Sequence, residues 1–304
     1  MLKLKTWLNA ARLRTLPLSI SGVVTGTALA NCSQENNYLI FLLALLTTIA
    51  FQVTSNFAND YGDGVKGTDN QDRIGPARAL QSGLLSRSEL KNGIGVSILI
   101  SLVLVASVIY VSFGTENMPM ILVFFGLGIA SIWAAIKYTV GKSAYGYRGF
   151  GDMFVFLFFG ILAVLGTLFL YTKSITWYAV LPAIAIGALS TGVLNLNNLR
   201  DFESDKKAEK NTIIVKIGIH RGKIYHYALL SVSFLCVIGF LTLNASTNNW
   251  TWYAPLLAFI PIMVHFRKVQ TIEDPKSFDP ELKKLALSTF LLAVLMFISC
   301  NIFL

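Results

Sequence analysis

Nine long apolar runs dominate the chain, at about 13–31, 38–57, 93–113, 118–138, 152–171, 177–197, 225–244, 252–267 and 285–304. An α-helix needs roughly 17–25 such residues to cross the hydrocarbon core of a bilayer. Backbone inside lipid must satisfy its own N–H and C=O groups, so only helices or a closed barrel can span it. The runs mix Phe, Leu, Ile and Val with internal Gly and lack the alternation of a membrane barrel. The expected fold is therefore all-α, a polytopic membrane protein with nine transmembrane helices. Only 13% of residues are charged, about half the share of a soluble domain.

The net charge of +9 does not point to nucleic acid, because of where the charge sits. With nine spans and the N-terminus inside, all but Lys173 of the 25 Lys and Arg residues fall on the cytoplasmic side. That asymmetry fixes the expected orientation. The long loops follow the second, fourth, sixth and eighth spans, so one face carries the polar chemistry. The expected organisation is a single membrane domain over 1–304. It divides into two four-helix halves, about 1–150 and 151–270, plus a ninth helix, in the manner of parallel repeats.

Two acidic clusters interrupt the apolar pattern. The first is Asn56-Phe57-Ala58-Asn59-Asp60-Tyr61-Gly62-Asp63, with Asp69 and Asp72 beyond it. The second is Asn197-Asn198-Leu199-Arg200-Asp201-Phe202-Glu203-Ser204-Asp205. They follow the second and sixth apolar runs, where ionisable groups are functional candidates by default. Asn56, Asn59, Asp60 and Asp63 share one face if the second helix continues that far. Asn197, Asp201 and Asp205 are likewise spaced four apart. Two such faces are expected to oppose each other across a central cavity.

Mg2+ takes oxygen ligands, commonly one or two carboxylates with water and phosphate oxygens. Asn59, Asp60, Asp63, Asp69, Asp201 and Asp205 are the candidate ligands. Asp60, Asp63, Asp201 and Asp205 are the candidate catalytic carboxylates, and Asn56, Asn197 and Asn198 supply amides. Arg12, Arg14, Lys66, Arg73, Arg78, Arg200 and Lys206 are candidates to clamp a polyanion, Arg with two parallel hydrogen bonds. Glu203 and Glu209 are expected to be solvated.

The segment from Lys137 to Asp152 is rich in Gly and Tyr and suits a loop folding over a site. Tyr138, Tyr145 and Arg148 are its binding candidates; an interfacial aromatic belt is the other reading. Gly22 and Gly26 have the spacing of a helix-packing motif. Cys32, Cys236 and Cys300 show no disulfide framework or zinc spacing, and His220, His226 and His265 show no ligand spacing. The basic start and Ala28-Leu29-Ala30 also resemble a cleavable signal peptide.

These residues resemble the UbiA superfamily of intramembrane prenyltransferases. Its N-D-x-x-D-type motif matches Asn59-Asp60-Tyr61-Gly62-Asp63, and its D-x-x-x-D motif matches Asp201-Phe202-Glu203-Ser204-Asp205. More narrowly, the stretch from Asn59 to Asp69 with Arg73-Ile74-Gly75-Pro76-Ala77-Arg78 resembles the 1,4-dihydroxy-2-naphthoate polyprenyltransferases. So do Arg14-Thr15-Leu16-Pro17, Tyr138-Thr139-Val140-Gly141 and the run Tyr145 to Asp152. The resemblance covers essentially the whole chain. It implies nine helices around a cavity, Mg2+ as cofactor, and polyprenyl diphosphate and 1,4-dihydroxy-2-naphthoate as substrates. It implies attack by the ring carbon that bears the carboxylate, loss of CO2, and demethylmenaquinone as product. It also implies a cell-membrane enzyme with a cytoplasmic active site and an uncleaved first helix, since Arg12-Leu13-Arg14-Thr15-Leu16-Pro17 belongs to the pattern. A naphthoate carboxylate would seek a cation near the clusters, and Arg78 and Arg148 are the candidates for it. The chain departs at Asn211, where the family often has Arg after the Lys210 position. It departs again at Asp69, six residues after Asp63 rather than four.

Three alternatives stand beside this reading. A 4-hydroxybenzoate prenyltransferase would carry the same motifs. A CDP-alcohol phosphotransferase would share Asp60-Tyr61-Gly62-Asp63-Gly64, but Gly67-Thr68 stands where its Ala-Arg would follow. A cation-coupled transporter would place its carboxylates mid-span rather than at helix ends.

Overall fold

The computed structural model describes residues 2–67, 74–75, 78–244 and 250–302. Among them it is all-helical, with no strand. Helix α1 (Leu2–Ala11) precedes α2 (Leu16–Cys32), α3 (Tyr38–Lys66), α4 (Arg87–Phe113) and α5 (Met118–Lys137). Then α6 (Gly151–Val155), a π-helical stretch (Phe156–Gly166) and α7 (Thr167–Thr172) run on as one rod. They are followed by α8 (Val180–Arg200), α9 (Phe202–Lys207), α10 (Ile213–Leu243), α11 (Phe259–Gln270) and α12 (Phe278–Ile302).

Seven helices among the described residues are long and apolar enough to cross a membrane, against the nine expected. The other two expected segments form shorter or mixed elements. One is α2, 17 residues long, which rises about 26 Å and stops just short of a typical hydrocarbon core. The other is the 3-10 stretch Trp250–Ala258, interrupted by Pro255, with α11 after it. The protein is a multi-pass membrane protein. Its outer surface carries large apolar side chains such as Leu99, Leu122 and Leu235, all well exposed. Such residues are placed as lipid requires.

Inside, small residues let backbones approach. Helix α8 is buried on nearly every side through Ala183, Ala185, Gly187 and Ala188. At Gly160 an added Cβ would lie 2.5 Å from Gly187 Cα, the close approach that packs helices in lipid. Gly22 and Gly26 do the same between α2 and the π-helical stretch, facing Ala163 and Val164. The expected packing motif is thus a packing motif.

Local chemistry sets the helix ends. Asn37 Oδ1 accepts from Leu39 N and Ile40 N to start α3. Ser86 and Glu89 form a reciprocal capping box at α4. Gly67, at φ 74°, stops α3 just past Lys66. The second apolar run therefore continues in helical form through the whole first cluster.

One expectation is corrected here. Cys32 and Cys300, 268 positions apart in sequence, form a disulfide. They join the end of α2 to the last turn of α12, next to a hydrogen bond from Asn31 Nδ2 to Asn301 Oδ1 at 3.0 Å. The sequence shows no spacing to reveal it, because only the docking of α2 on α12 brings the pair together.

Candidate active site

A cavity of about 1170 Å³ opens among the helices. Its apolar walls include Phe51, Phe124, Phe158, Phe159 and Leu162. Arg12, Arg14, Asn56, Asn59, Asp60, Asp63, Arg78, Tyr138, Tyr145, Asn197 and Arg200 also line it. The expected residues Lys66, Arg148, Asn198, Lys206, Asp201 and Asp205 do not line it. Asp69 and Arg73 lie outside the described residues.

The first cluster is built on one face of α3, as the spacing requires. Asp60 is almost wholly buried; Oδ2 accepts from Ala79 N at 3.1 Å and Oδ1 from Leu80 N at 3.4 Å. Asp63 accepts from Tyr147 Oη at 2.8 Å and from Arg78 Nη2 at 3.3 Å. Asn56 donates to Ala11 O at 2.8 Å, which pins the bend between α1 and α2. At that bend Arg12 holds a left-handed conformation, φ 51° and ψ 53°, uncommon for a non-glycine residue and frequent at functional sites.

The loop after α5 docks onto this face. Thr139 Oγ1 donates to Ala58 O at 3.0 Å and to Asn59 Oδ1 at 3.2 Å. A Cβ on Gly62 would meet Thr139 Oγ1 at 2.5 Å, so the docking needs glycine there. Tyr145 Oη donates to Ala134 O. Tyr147 links the clusters: its hydroxyl reaches Asp63, and its carbonyl accepts from Asn211 N at 3.0 Å. Lys66 Nζ sits 3.7 Å over the Tyr147 ring. The loop folds over the site, while Arg148 is exposed and offers only its carbonyl, to Lys216 Nζ.

The second cluster departs from a single helical face. Helix α8 ends at Arg200, and Asp201 (φ −95°, ψ 12°) breaks it before α9. Only Asn197 and Arg200 of this group reach the cavity wall. Arg200 grips Asp201 in a two-pronged pair, Nε to Oδ1 and Nη2 to Oδ2, both 2.8 Å. It also donates to Asn197 Oδ1 at 2.7 Å and to Asp279 Oδ1 at 2.5 Å. Lys210 Nζ meets Asp205 Oδ1 at 3.2 Å. Burial alone would lower the Lys210 ammonium, but Asp205, with Tyr138 and Asp63, holds it above its ordinary value. Lys210 therefore stays charged, in the field of both clusters. Burial pushes the Asp205 carboxyl up, and Lys210 pulls it back.

Lys210, Tyr147 and Asp279 are site residues that spacing alone does not place. The positive charge kept at Lys210 was a signal. Asp279 gave none, because it meets Arg200 only when α12 docks on α8.

Among the described residues no three His, Cys, Asp or Glu side chains converge as a ready metal site. In the second cluster two buried oxygens nevertheless lack a hydrogen-bond partner, Asp205 Oδ2 and Asn198 Oδ1. These are the oxygen donors that Mg2+ takes, and Mg2+ usually fills its shell with few carboxylates plus substrate phosphates and water. The donor set fits that ion.

The UbiA prenyltransferase family model matches residues 19–283. The chain belongs to the UbiA prenyltransferase family. Full-length relatives accompany the match. A Haemophilus influenzae protein named 1,4-dihydroxy-2-naphthoate octaprenyltransferase is 44% identical over 96% of this chain and 94% of its own. An Escherichia coli protein of the same name is 40% identical over the same shares. Among solved structures, the apo form of a UbiA homologue from Aeropyrum pernix aligns at a TM-score of 0.72, with 14% identity, over 94% of this chain and 98% of its own. A UbiA homologue from Archaeoglobus fulgidus bound to DMAPP and Mg2+ aligns at 0.67 and 14% identity, over 98% and 99%. At those identities the structures show a shared UbiA fold.

Proposed function

We propose that the protein transfers a polyprenyl group from polyprenyl diphosphate to 1,4-dihydroxy-2-naphthoate, giving demethylmenaquinol (the reduced, aromatic form of demethylmenaquinone), CO2 and diphosphate. One observation carries the reading: a single cavity joins apolar walls to paired acidic and basic groups, in a chain 44% identical to a relative of that name. The apolar walls suit the prenyl tail, and Asp60, Asp63, Arg78, Arg200 and Lys210 surround the diphosphate end.

Asp60, Asp63 and Asn59 on one side, and Asp201 and Asp205 on the other, are the residues assigned to hold Mg2+. When bound, the ion neutralises charge on the departing diphosphate. The chain's own cations share that task. In this reading Arg78 and Lys210, paired with Asp63 and Asp205, donate to phosphate oxygens. In the reaction the allylic C–O bond breaks and diphosphate leaves with the electron pair. The ring carbon bearing the carboxylate bonds to the allylic carbon. The bond to the carboxylate then breaks, and its electrons restore the aromatic ring. Apolar walls exclude water that would capture an allylic cation.

The clusters face the cytoplasm across the cell membrane in this reading. The distribution of Lys and Arg supports it, and so does Cys32–Cys300 at the far ends of α2 and α12. Disulfides persist on the oxidising side of such a membrane, opposite the reducing cytoplasm.

An acceptor panel tests the reading. With purified protein, Mg2+ and a polyprenyl diphosphate, 1,4-dihydroxy-2-naphthoate is prenylated, 4-hydroxybenzoate is not, and EDTA stops the reaction. Prenylation of 4-hydroxybenzoate with the naphthoate idle would replace the assignment.

A further inference from the structure

Apart from Arg12 at the bend after α1, the cations lining the cavity fall into two groups. Arg78, Arg200 and Lys210 are each held by carboxylates of the clusters or of α12. Arg14 and Lys283 line the same cavity, are exposed, and pair with no acidic side chain among the described residues.

Local structure explains why Lys283 is left open. Its helical neighbour one turn earlier is Asp279, an acid-before-base spacing that normally pairs. Asp279 is turned instead onto Arg200. The next residue, Lys284, is taken by Glu281 at 2.5 Å. Glu281 is buried and also meets His265 Nδ1 at 2.7 Å, while His265 Nε2 meets His226 Nε2 at 2.9 Å. This buried chain ties the first turn of α12 to α10 and α11 and fixes its rotation. The face left toward the cavity is Asp279, Leu282, Lys283 and Ala286.

We propose that Lys283 holds the carboxylate of the aromatic acid and so sets acceptor specificity. The proposal rests on the functional reading above. Diphosphate, the more highly charged anion, belongs with the buried cations at the clusters, and a soluble acid meets the exposed ammonium of Lys283. Lys presents a flexible point charge, suited to a carboxylate that must bring its own carbon toward the allylic centre. Loss of that group as CO2 removes the ion pair, so the product has no anchor on α12. Arg148, a candidate from the sequence, does not line the cavity, and Arg78, on the Asp63 side of the clusters, is assigned above to the diphosphate.

The test compares wild type, Lys283→Gln and Lys283→Arg in steady-state turnover of 1,4-dihydroxy-2-naphthoate. Gln raises the apparent KM for the acid on the order of tenfold to a hundredfold, the loss expected for a charged hydrogen-bond partner. It leaves the KM for prenyl diphosphate unchanged, and Arg restores most of the loss. Inhibition by 1,4-dihydroxynaphthalene, which lacks the carboxylate, is equal in wild type and Lys283→Gln. An unchanged acid KM in an active Lys283→Gln enzyme, or equal rises for both substrates, overturns the assignment of Lys283 alone. A wild type that never uses the naphthoate overturns the functional reading with it.

Discussion

Both oxygens of Asp63 are held by side chains from outside its own helix, Tyr147 from the loop after α5 and Arg78 from the segment before α4. Asp60 is held by backbone N–H groups of that same segment. The two carboxylates thus differ in what they lose on mutation. Asp60→Asn keeps the shape and one acceptor oxygen but removes the charge, so turnover falls about a hundredfold or more, while the amide set against one of the two backbone N–H groups also lowers the thermal melt. Tyr147→Phe removes a single hydrogen bond to a charged group, worth roughly 1.5–3 kcal/mol, and lowers turnover about tenfold. Wild-type rates in Asp60→Asn would remove that residue from the chemistry. The phasing of Asn56, Asn59, Asp60 and Asp63 was legible from spacing, because one continuous helix carries all four. Asp279 was not, because its partner Arg200 comes from another helix.

Elements here are shaped by what they must avoid as much as by what they bury. Helix α8 stops at Arg200, so the second cluster turns away from the cavity, and its cations, not its carboxylates, line the wall. Periodicity in the sequence continues across that break and cannot reveal it. The packing of α2 was legible in Gly22 and Gly26. A Cβ at Gly26 would lie 2.5 Å from the Val164 carbonyl oxygen, a backbone atom that cannot step aside. Gly26→Val therefore destabilises by about 1–3 kcal/mol through overpacking, read as a lower melting temperature in detergent. Gly95 is the control: it is exposed on α4 with nothing within 4 Å of an added Cβ. Gly95→Ala should be neutral or stabilising, by up to about 1 kcal/mol. Equal losses in both variants would show that the close approach of α2 has no special cost.

At the scale of the molecule, the membrane class and the polar face were legible in apolar run length and in the placement of Lys and Arg. The cysteine pairing was not, because it depends on how helix ends meet in three dimensions. The result is a bundle whose last helix serves two ends. Cys300 of α12 bonds Cys32 of α2 at one end, while Asp279 and Lys283 of α12 line the cavity at the other. The central claim is that this cavity couples prenylation to loss of the acceptor's carboxylate. Purified protein supplied with Mg2+, polyprenyl diphosphate and carboxyl-labelled 1,4-dihydroxy-2-naphthoate measures it directly. One labelled CO2 is released for each prenylated product formed. A prenylated product that keeps its labelled carboxylate would contradict it.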